Sequence, residues 1–219
     1  TGTLAVDGGS QSFSTTAPGQ NVYMYFTASP GDNIGLGISG LSFGGHDGST
    51  ITVYDANNHS VASTGCNQVS QGCGLDLHNM AGGSYKVVVD PSYSVTMSFT
   101  ATLSHDVAST LAPDTPISGN LARRGQTATY AFNATAGQTV AFQATGGSTV
   151  PSGQLTYYYI YNPSGSEHTQ SYSSGYELLN LPNLPQTGTY KVYVVPNYGA
   201  TLTEQVALIS GVTGTLATD

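Results

Sequence analysis

The chain has 219 residues, of which only 7% are charged, against about 25% in an average soluble protein. Four basic and twelve acidic side chains give a formal net charge of −8. This balance excludes the dense basic surface that nucleic acids require, and it disfavours contact with an anionic membrane. Every apolar run is shorter than the roughly 18 residues of a membrane-spanning helix, so we expect no membrane insertion.

The first hundred residues predict short strands joined by turns. Apolar and polar residues alternate with a period of two in Val22–Phe26, Ile34–Ile38 and Thr50–Tyr54, which is typical of half-buried strands. Asp55–Asn58 has the composition of a hairpin turn, and Val95–Phe99 is a further alternating strand. The 3.6-residue period of an amphipathic helix is not found, so the pattern favours an all-β fold.

The segment Gly40–Gly44 matches G-x-S-x-G, the pattern that surrounds many hydrolase nucleophiles. That site requires a sharp turn from a strand into a helix, which exposes the serine hydroxyl. The sequence predicts a loop, not a helix, after Ser42, and the similar loop at 146–150 lacks the pattern. We therefore predict no catalytic residue and no enzymatic activity.

Several acidic side chains are candidate calcium ligands, because calcium prefers carboxylate and carbonyl oxygens. The candidates are Asp32, Asp55, Asp76, Asp90 and the pair His46–Asp47. Their spacing fits no calcium-binding loop, and a turn explains Asp55 and Asp90 as well as a metal does. We expect no metal and no cofactor, with one calcium ion in this part of the chain as the alternative.

Two cysteines, Cys66 and Cys73, flank a short loop rich in Gly, Gln and Ser. A zinc site would need four ligands at short spacings, and a redox pair would usually be Cys-x-x-Cys. We therefore predict a local disulfide, a bond that persists in oxidising compartments. It indicates an extracellular or cell-surface protein of the kind that bacteria secrete, and the start at Thr1 predicts a mature or excised segment.

The chain is a tandem repeat with a period of 105 to 107 residues. Gly83–Pro91 matches Gly188–Pro196, and the opening residues Thr1–Ala5 recur at 108–112 and at 213–217. We predict two tandem β-sandwich modules, jelly-roll-like and of about eight strands each. The predicted bounds are 1–107 and 108–212, with 213–219 as the start of a third repeat or a shared edge strand.

Arg123 and Arg124 precede the Gly-Gln turn of the second repeat, where the first repeat has Ala17 and Pro18. Two hypotheses remain open for these arginines. Either they form ion pairs with acidic residues of the first module across an interface, or they lie in a solvated turn.

The two repeats also differ in one outward row of side chains. Ile51 and Val53 face the core of the first module, so the residues between and beside them face outward. At the corresponding positions the second module has Tyr157, Tyr159 and Tyr161. Outward tyrosines on a sheet commonly cover a protein contact or stack on sugar rings. We predict a contact with a module or another chain, with a glycan or peptide ligand or a solvated sheet as alternatives.

Three motifs occur in both repeats: a Gly-Gln turn before a strand that ends in Phe, a Tyr-Asp/Asn hairpin, and Gly-[ST]-Tyr-Lys-Val-x-Val. They lie at 19–26, 54–58 and 83–89, and again at 125–132, 161–165 and 188–194. On these motifs each repeat resembles the bacterial pre-peptidase C-terminal (PPC) domain family and related sandwich repeats. The resemblance implies a non-catalytic accessory module of secreted proteins. Some relatives bind calcium near the N-terminal linker, but here the linker has only Asp106 and Asp114.

The sequence therefore predicts a non-catalytic extracellular structural module of a repeat-containing stalk, adhesin or filament, arrayed end to end or self-associating. Its expected partners are neighbouring repeats or copies of itself. The alternative is an accessory module of a secreted hydrolase that binds a carbohydrate or a matrix protein.

Overall fold

The computed structural model describes residues 1–44, 48–67 and 70–211. Strands make up most of this part of the chain, nine in each half, with one 3₁₀ turn at Asn197–Gly199. The first nine are β1 (Gly2–Thr3), β2 (Gln11–Ser14), β3 (Val22–Ala28), β4 (Ile34–Phe43), β5 (Ser49–Tyr54), β6 (Ser60–Cys66), β7 (Cys73–Leu77), β8 (Gly83–Pro91) and β9 (Met97–His105). The second nine are β10 (Val107–Thr110), β11 (Ile117–Leu121), β12 (Ala128–Ala134), β13 (Val140–Val150), β14 (Thr156–Tyr161), β15 (Glu167–Ser173), β16 (Glu177–Leu181), β17 (Gly188–Pro196) and β18 (Thr201–Ser210). Within these ranges no helix is long and apolar enough to cross a membrane.

Each half of the chain forms two sheets that pack face to face. In the first module a five-stranded sheet has the order β1-β3-β8-β5-β6, and a four-stranded sheet has the order β2-β9-β4-β7. The second module repeats this plan with β10-β12-β17-β14-β15 and β11-β18-β13-β16. The predicted all-β fold of two tandem sandwiches is confirmed, with nine strands per module where about eight were expected. β10 begins at Val107, one residue before the predicted boundary, and 213–219 lies outside the described residues.

The alternation of each strand forms the core, as the sequence predicts. In β3 the side chains of Val22, Met24 and Phe26 are buried, whereas Tyr23 and Tyr25 are exposed on the other face. Burying an apolar side chain of this size stabilises the fold by about 1.5 to 3 kcal/mol. The same alternation places the exposed side chains of β3 on the outer face of its sheet.

The two cores differ at one pair of facing positions. In the first module Phe13 and Phe99 lie opposite each other on β2 and β9 and stack with ring centroids 5.5 Å apart. The corresponding pair on β11 and β18 is Gly119 and Glu204. The second module therefore carries a carboxyl group where the first has a phenylalanine ring, and Glu204 is only 7% exposed.

Tyrosines occupy the space around that carboxyl group. Tyr158 donates a hydrogen bond from its hydroxyl to Oε2 of Glu204 at 2.7 Å, while Oε1 has no hydrogen-bond partner. Burial raises the pKa of Glu204 to about 7, and the hydrogen bond from Tyr158 only partly opposes this rise. Burial, together with the negative charge of Glu204, raises the pKa of Tyr130 to about 12.

The predicted disulfide between Cys66 and Cys73 is present. Cys66 ends β6 on the edge of one sheet, and Cys73 begins β7 on the edge of the other, so the bond joins the two sheets of the first module. Both cysteines are buried. The strand registers place Ser173 and Glu177 at the corresponding positions of the second module, which has no such bond.

Reduction of this disulfide should destabilise the first module alone. A cross-link that closes so short a loop stabilises a protein by about 2 to 3 kcal/mol through the entropy of the unfolded chain. Urea unfolding with and without reductant should show that loss, and the double variant Cys66→Ser, Cys73→Ser should reproduce it. Two free thiols in the unfolded, non-reduced protein would contradict the bond.

Candidate functional site at the junction between the modules

The two modules meet where a loop of the second lies on a sheet of the first. We call residues Arg123–Gln126, between β11 and β12, the junction loop. It lies against the outer face of β4, at Gly35 and Gly37. A Cβ atom at Gly35 would overlap the carbonyl oxygen of Gly125, and one at Gly37 would overlap the backbone of Arg124. The backbones approach this closely because these outward positions carry no side chain.

A second backbone contact lies beside the first. A Cβ atom at Gly74 of β7 would come within 2.8 Å of Cα of Gly199, in the 3₁₀ turn of the second module. Gly199 and Gly125 both have a positive φ, +60° and +77°, a conformation that other residues adopt only with strain. The junction is therefore built from glycines on both sides.

The two arginines bind the first module, and their partners among the described residues are hydrogen-bond acceptors, not carboxylates. Arg123 donates hydrogen bonds to the hydroxyl of Ser104 and to the carbonyl oxygens of Gly8 and Leu103. Carbonyl oxygens, not carboxylates, are therefore its main acceptors in the first module. The hypothesis that these side chains lie across an interface therefore has the right location. Their acceptors in the first module are mainly backbone carbonyl oxygens, where it expected acidic side chains.

Arg124 connects parts of both modules. Its guanidinium donates to the carbonyl oxygen of Gln71, in the disulfide loop, and to those of Val150 and Tyr198 in the second module. Burial of the guanidinium lowers the pKa of Arg124. Its Nε has no hydrogen-bond partner. A half-buried cation that bridges three carbonyl oxygens holds the loop in one position.

The tyrosine row of β14 lies next to the junction. Tyr157, Tyr159 and Tyr161 are half-buried on the outer face of the five-stranded sheet, as the alternation predicts. Tyr157 stacks on Tyr159 with ring centroids 6.2 Å apart. Tyr161 meets Tyr193 of β17 edge to face at 5.2 Å, and His78 of the first module contacts Tyr193 at 5.1 Å.

An open cleft of about 450 Å³ lies between the modules at this row. The first module contributes Asp76 and His78, from β7 and just after it. The second contributes three tyrosine rings and the hairpin after β14. The full lining is Asp76, His78, Tyr159, Tyr161, Asn162, Pro163, Gly165, Thr189, Lys191, Tyr193 and Val195.

One carboxyl group, that of Asp76, lines the cleft, and a second, that of Asp106, is buried near it. Burial, together with the nearby negative charge of Asp106, raises the pKa of Asp76 to about 7. Burial also raises the pKa of Asp106, against the opposing effects of Thr127 and His78. The side chain of Asp106 is 5% exposed, and its Oδ2 lies 3.8 Å from Nδ1 of His78. No described residue makes a hydrogen bond of good geometry to the oxygens of Asp106, although Thr127 is close enough to lower its pKa.

The other predicted site residues are not brought together. Ser42 is exposed near the end of β4, a strand rather than a strand-to-helix turn. Asp55 accepts hydrogen bonds from the backbone N–H groups of Asn57 and His59, and Asp32 accepts one from Ser29, so both serve as turn residues.

Two further metal candidates, His46 and Asp47, lie outside the described residues. In the ranges that are described, no group of three or more His, Cys, Asp or Glu side chains is arranged to hold a metal ion. A calcium site stays a prediction that no contact supports.

Comparison with known proteins gives structural neighbours only. No protein-family model matches the chain, and no curated protein matches it. Among solved structures, it is similar to a pre-peptidase C-terminal domain of a collagenase from Bacillus anthracis, with a TM-score of 0.37 and 17% identity over 47% of this chain and 95% of that one. That structure is a domain of the family that the motifs of both repeats resemble.

Two tandem proteins are also similar over most of the chain. The CUB1-EGF-CUB2 domain of human MASP-1/3 has a TM-score of 0.29 and 10% identity, covering 90% of this chain and 99% of that one. The CBM22-1-CBM22-2 tandem domain of Paenibacillus barcinonensis Xyn10C has a TM-score of 0.24 and 8% identity, covering 85% and 82%. At these values the likeness concerns the fold alone, so function has to be argued from the residues.

Proposed function

We propose that the chain is a non-catalytic extracellular structural segment, of a stalk, adhesin or filament, in which the two modules act as one rigid unit. The glycine contact at the junction carries this proposal. Backbones that touch without intervening side chains leave little room for hinge motion, because packed interfaces resist gradual deformation. The disulfide supports an oxidising, extracellular compartment.

The junction is specific to this pair of modules. The positions that are Gly35 and Gly37 in β4 are Ala141 and Gln143 in β13. Gly74 of β7 corresponds to Leu178 of β16, which is 40% exposed. Side chains at these positions would block a following junction loop. We therefore propose that any longer assembly joins these two-module units through a different contact.

Rigidity can be measured with spin labels on the two modules. Labels at Val61→Cys and Thr203→Cys, both exposed, report the distance between β6 and β18. We expect a single narrow distance distribution, unchanged by moderate salt, because glycine contacts and hydrogen bonds to buried carbonyls are weakly screened. A broad distribution that spans tens of ångströms would contradict the rigid unit.

A second function is favoured by the cleft. Tyrosine faces, the carboxyl group of Asp76 and an opening to solvent between the modules are the features of a small-ligand site. We propose as a second candidate that the chain binds a saccharide there, as an accessory module beside other extracellular domains. The two functions are compatible, because a rigid junction keeps both walls of the cleft in place.

A further inference from the structure

The cleft contains a carboxyl group that lacks a partner. No described residue forms a hydrogen bond or an ion pair with Asp76, which lines the cleft, whereas the neighbouring Asp106 is buried and lies 3.8 Å from Nδ1 of His78. Unpaired buried carboxylates are costly, so a bound group that donates hydrogen bonds and carries positive charge would be favoured there. His78 is the nearest donor, and its 3.8 Å separation from Asp106 is too long for a hydrogen bond.

The walls of the cleft favour the same kind of group. Tyr159, Tyr161 and Tyr193 line it with three aromatic rings. The face of a tyrosine ring attracts a cation within about 6 Å, and it also packs on the apolar face of a sugar ring. A volume of about 450 Å³ is within the usual range for small-ligand sites.

One cation already lines the cleft and opposes this attraction. Lys191 lies on β17 beside Tyr193, exposed, and it forms no ion pair with either carboxylate within 4.0 Å. Besides the tyrosines, the charged and titratable groups that line the cleft are thus Asp76, His78 and Lys191. A neutral sugar would use the tyrosine faces but leave Asp76 without a positive partner.

We propose that the cleft binds an amino sugar, with its protonated amine directed at Asp76 and its ring against the tyrosines. This inference rests on the second proposed function and names the class of saccharide. The unpartnered carboxyl group of Asp76 is the observation that selects the amine, and the ring faces are the observation that selects a sugar over a simple ammonium ion.

The test compares a ligand that has both the amine and the sugar ring with ligands that lack one of the two. We would titrate the protein with glucosamine oligosaccharides, with the matching N-acetylglucosamine oligosaccharides and with lysine amide, by calorimetry at constant pH. The glucosamine oligosaccharide should bind at least tenfold more tightly than either of the others. Asp76→Asn should lose at least tenfold of that affinity, whereas Asp90→Asn, on an exposed strand position of the same module, should not.

The variant Lys191→Met should have the opposite effect to Asp76→Asn. Because it removes the competing cation, the glucosamine oligosaccharide should bind several-fold more tightly. Equal binding of both oligosaccharides, unchanged in Asp76→Asn, would overturn the amino-sugar inference and leave saccharide binding in place. Equal or tighter binding of lysine amide would overturn the choice of a sugar. The absence of binding to every saccharide would overturn the second function as well, and circular dichroism of each variant would confirm that it is folded.

Discussion

Replacing Gly37 with Val is expected to separate the two modules without unfolding either. Valine suits a β-strand, so β4 itself should tolerate the change. Its Cβ would overlap the backbone of Arg124, and backbone cannot rotate aside as a side chain can. The junction loop must then move outward by an ångström or more, which removes much of the dispersion energy of the contact.

The hydrogen bonds across the junction would be lost together with that contact. Between described residues, Arg123, Arg124 and Gln126 donate five hydrogen bonds to the first module. A hydrogen bond from a charged donor contributes about 1.5 to 3 kcal/mol, so the variant should lose several kcal/mol of docking energy. The spin-label distance distribution should broaden, while the urea midpoint of each module stays nearly constant.

Gln143→Val is the matched control for this variant. Position 143 lies on β13 where 37 lies on β4, and its outer face contacts no junction loop. The control should leave the distance distribution narrow. If Gly37→Val also left it narrow, the glycines would not be what holds the modules together, and the rigid-unit proposal would lose its main support.

The same variant links the two proposed functions. Asp76 and His78 belong to the first module and the tyrosine walls to the second, so the cleft exists only while the junction is closed. Gly37→Val should therefore abolish saccharide binding although it changes no residue of the cleft. If Gly37→Val abolished saccharide binding while the distance distribution stayed narrow, the variant would act on the residues that line the cleft without opening the junction.

Local patterns of the sequence predicted much of the fold. The period of two placed the inward residues of β3 and β5 and the outward tyrosines of β14, because side-chain direction in a strand follows from position alone. The disulfide followed from spacing. Local patterns could not predict which residues cover the outer face of a sheet. The contacts between the modules join residues about 90 positions apart, such as Gly35 and Gly125.

Two missed features had signals in the sequence. Gly35 and Gly37 occupy alternate positions of β4, where the corresponding strand β13 has Ala141 and Gln143. Two glycines at outward positions of one strand often mark a site where another backbone approaches closely. Glu204 lies in register with Leu202 and Val206, both inward, so the period of two already placed its carboxyl group in the core. The absence of a partner for Asp76 among the described residues had no such signal, because it depends on three-dimensional packing.

Glu204 should make the second module less stable as the pH rises. Its pKa is about 7 in the folded module and about 4.5 in the unfolded chain, so between these values the folded state holds more protons. The free energy of unfolding must then fall as the pH rises from about 4.5 to about 7, and it stays low above that range. One pKa unit corresponds to about 1.4 kcal/mol, so the full loss is about 3 kcal/mol.

Glu204→Gln isolates this effect from other groups that titrate in the same range, such as Asp76 at the junction. The amide oxygen can still accept the hydrogen bond from Tyr158, but it cannot ionise. The variant should be about 2 to 3 kcal/mol more stable than the unchanged protein at pH 8 and nearly equal to it at pH 4.5. Urea unfolding at the two pH values, followed by circular dichroism, measures both differences.

The control variant is Glu167→Gln, on an exposed position of β15, which should change the stability at neither pH. If Glu204→Gln kept the pH dependence of the unchanged protein, the carboxyl group would already be ionised at no cost in the folded module, and the polar pocket formed by Tyr130 and Tyr158 would have to stabilise its charge.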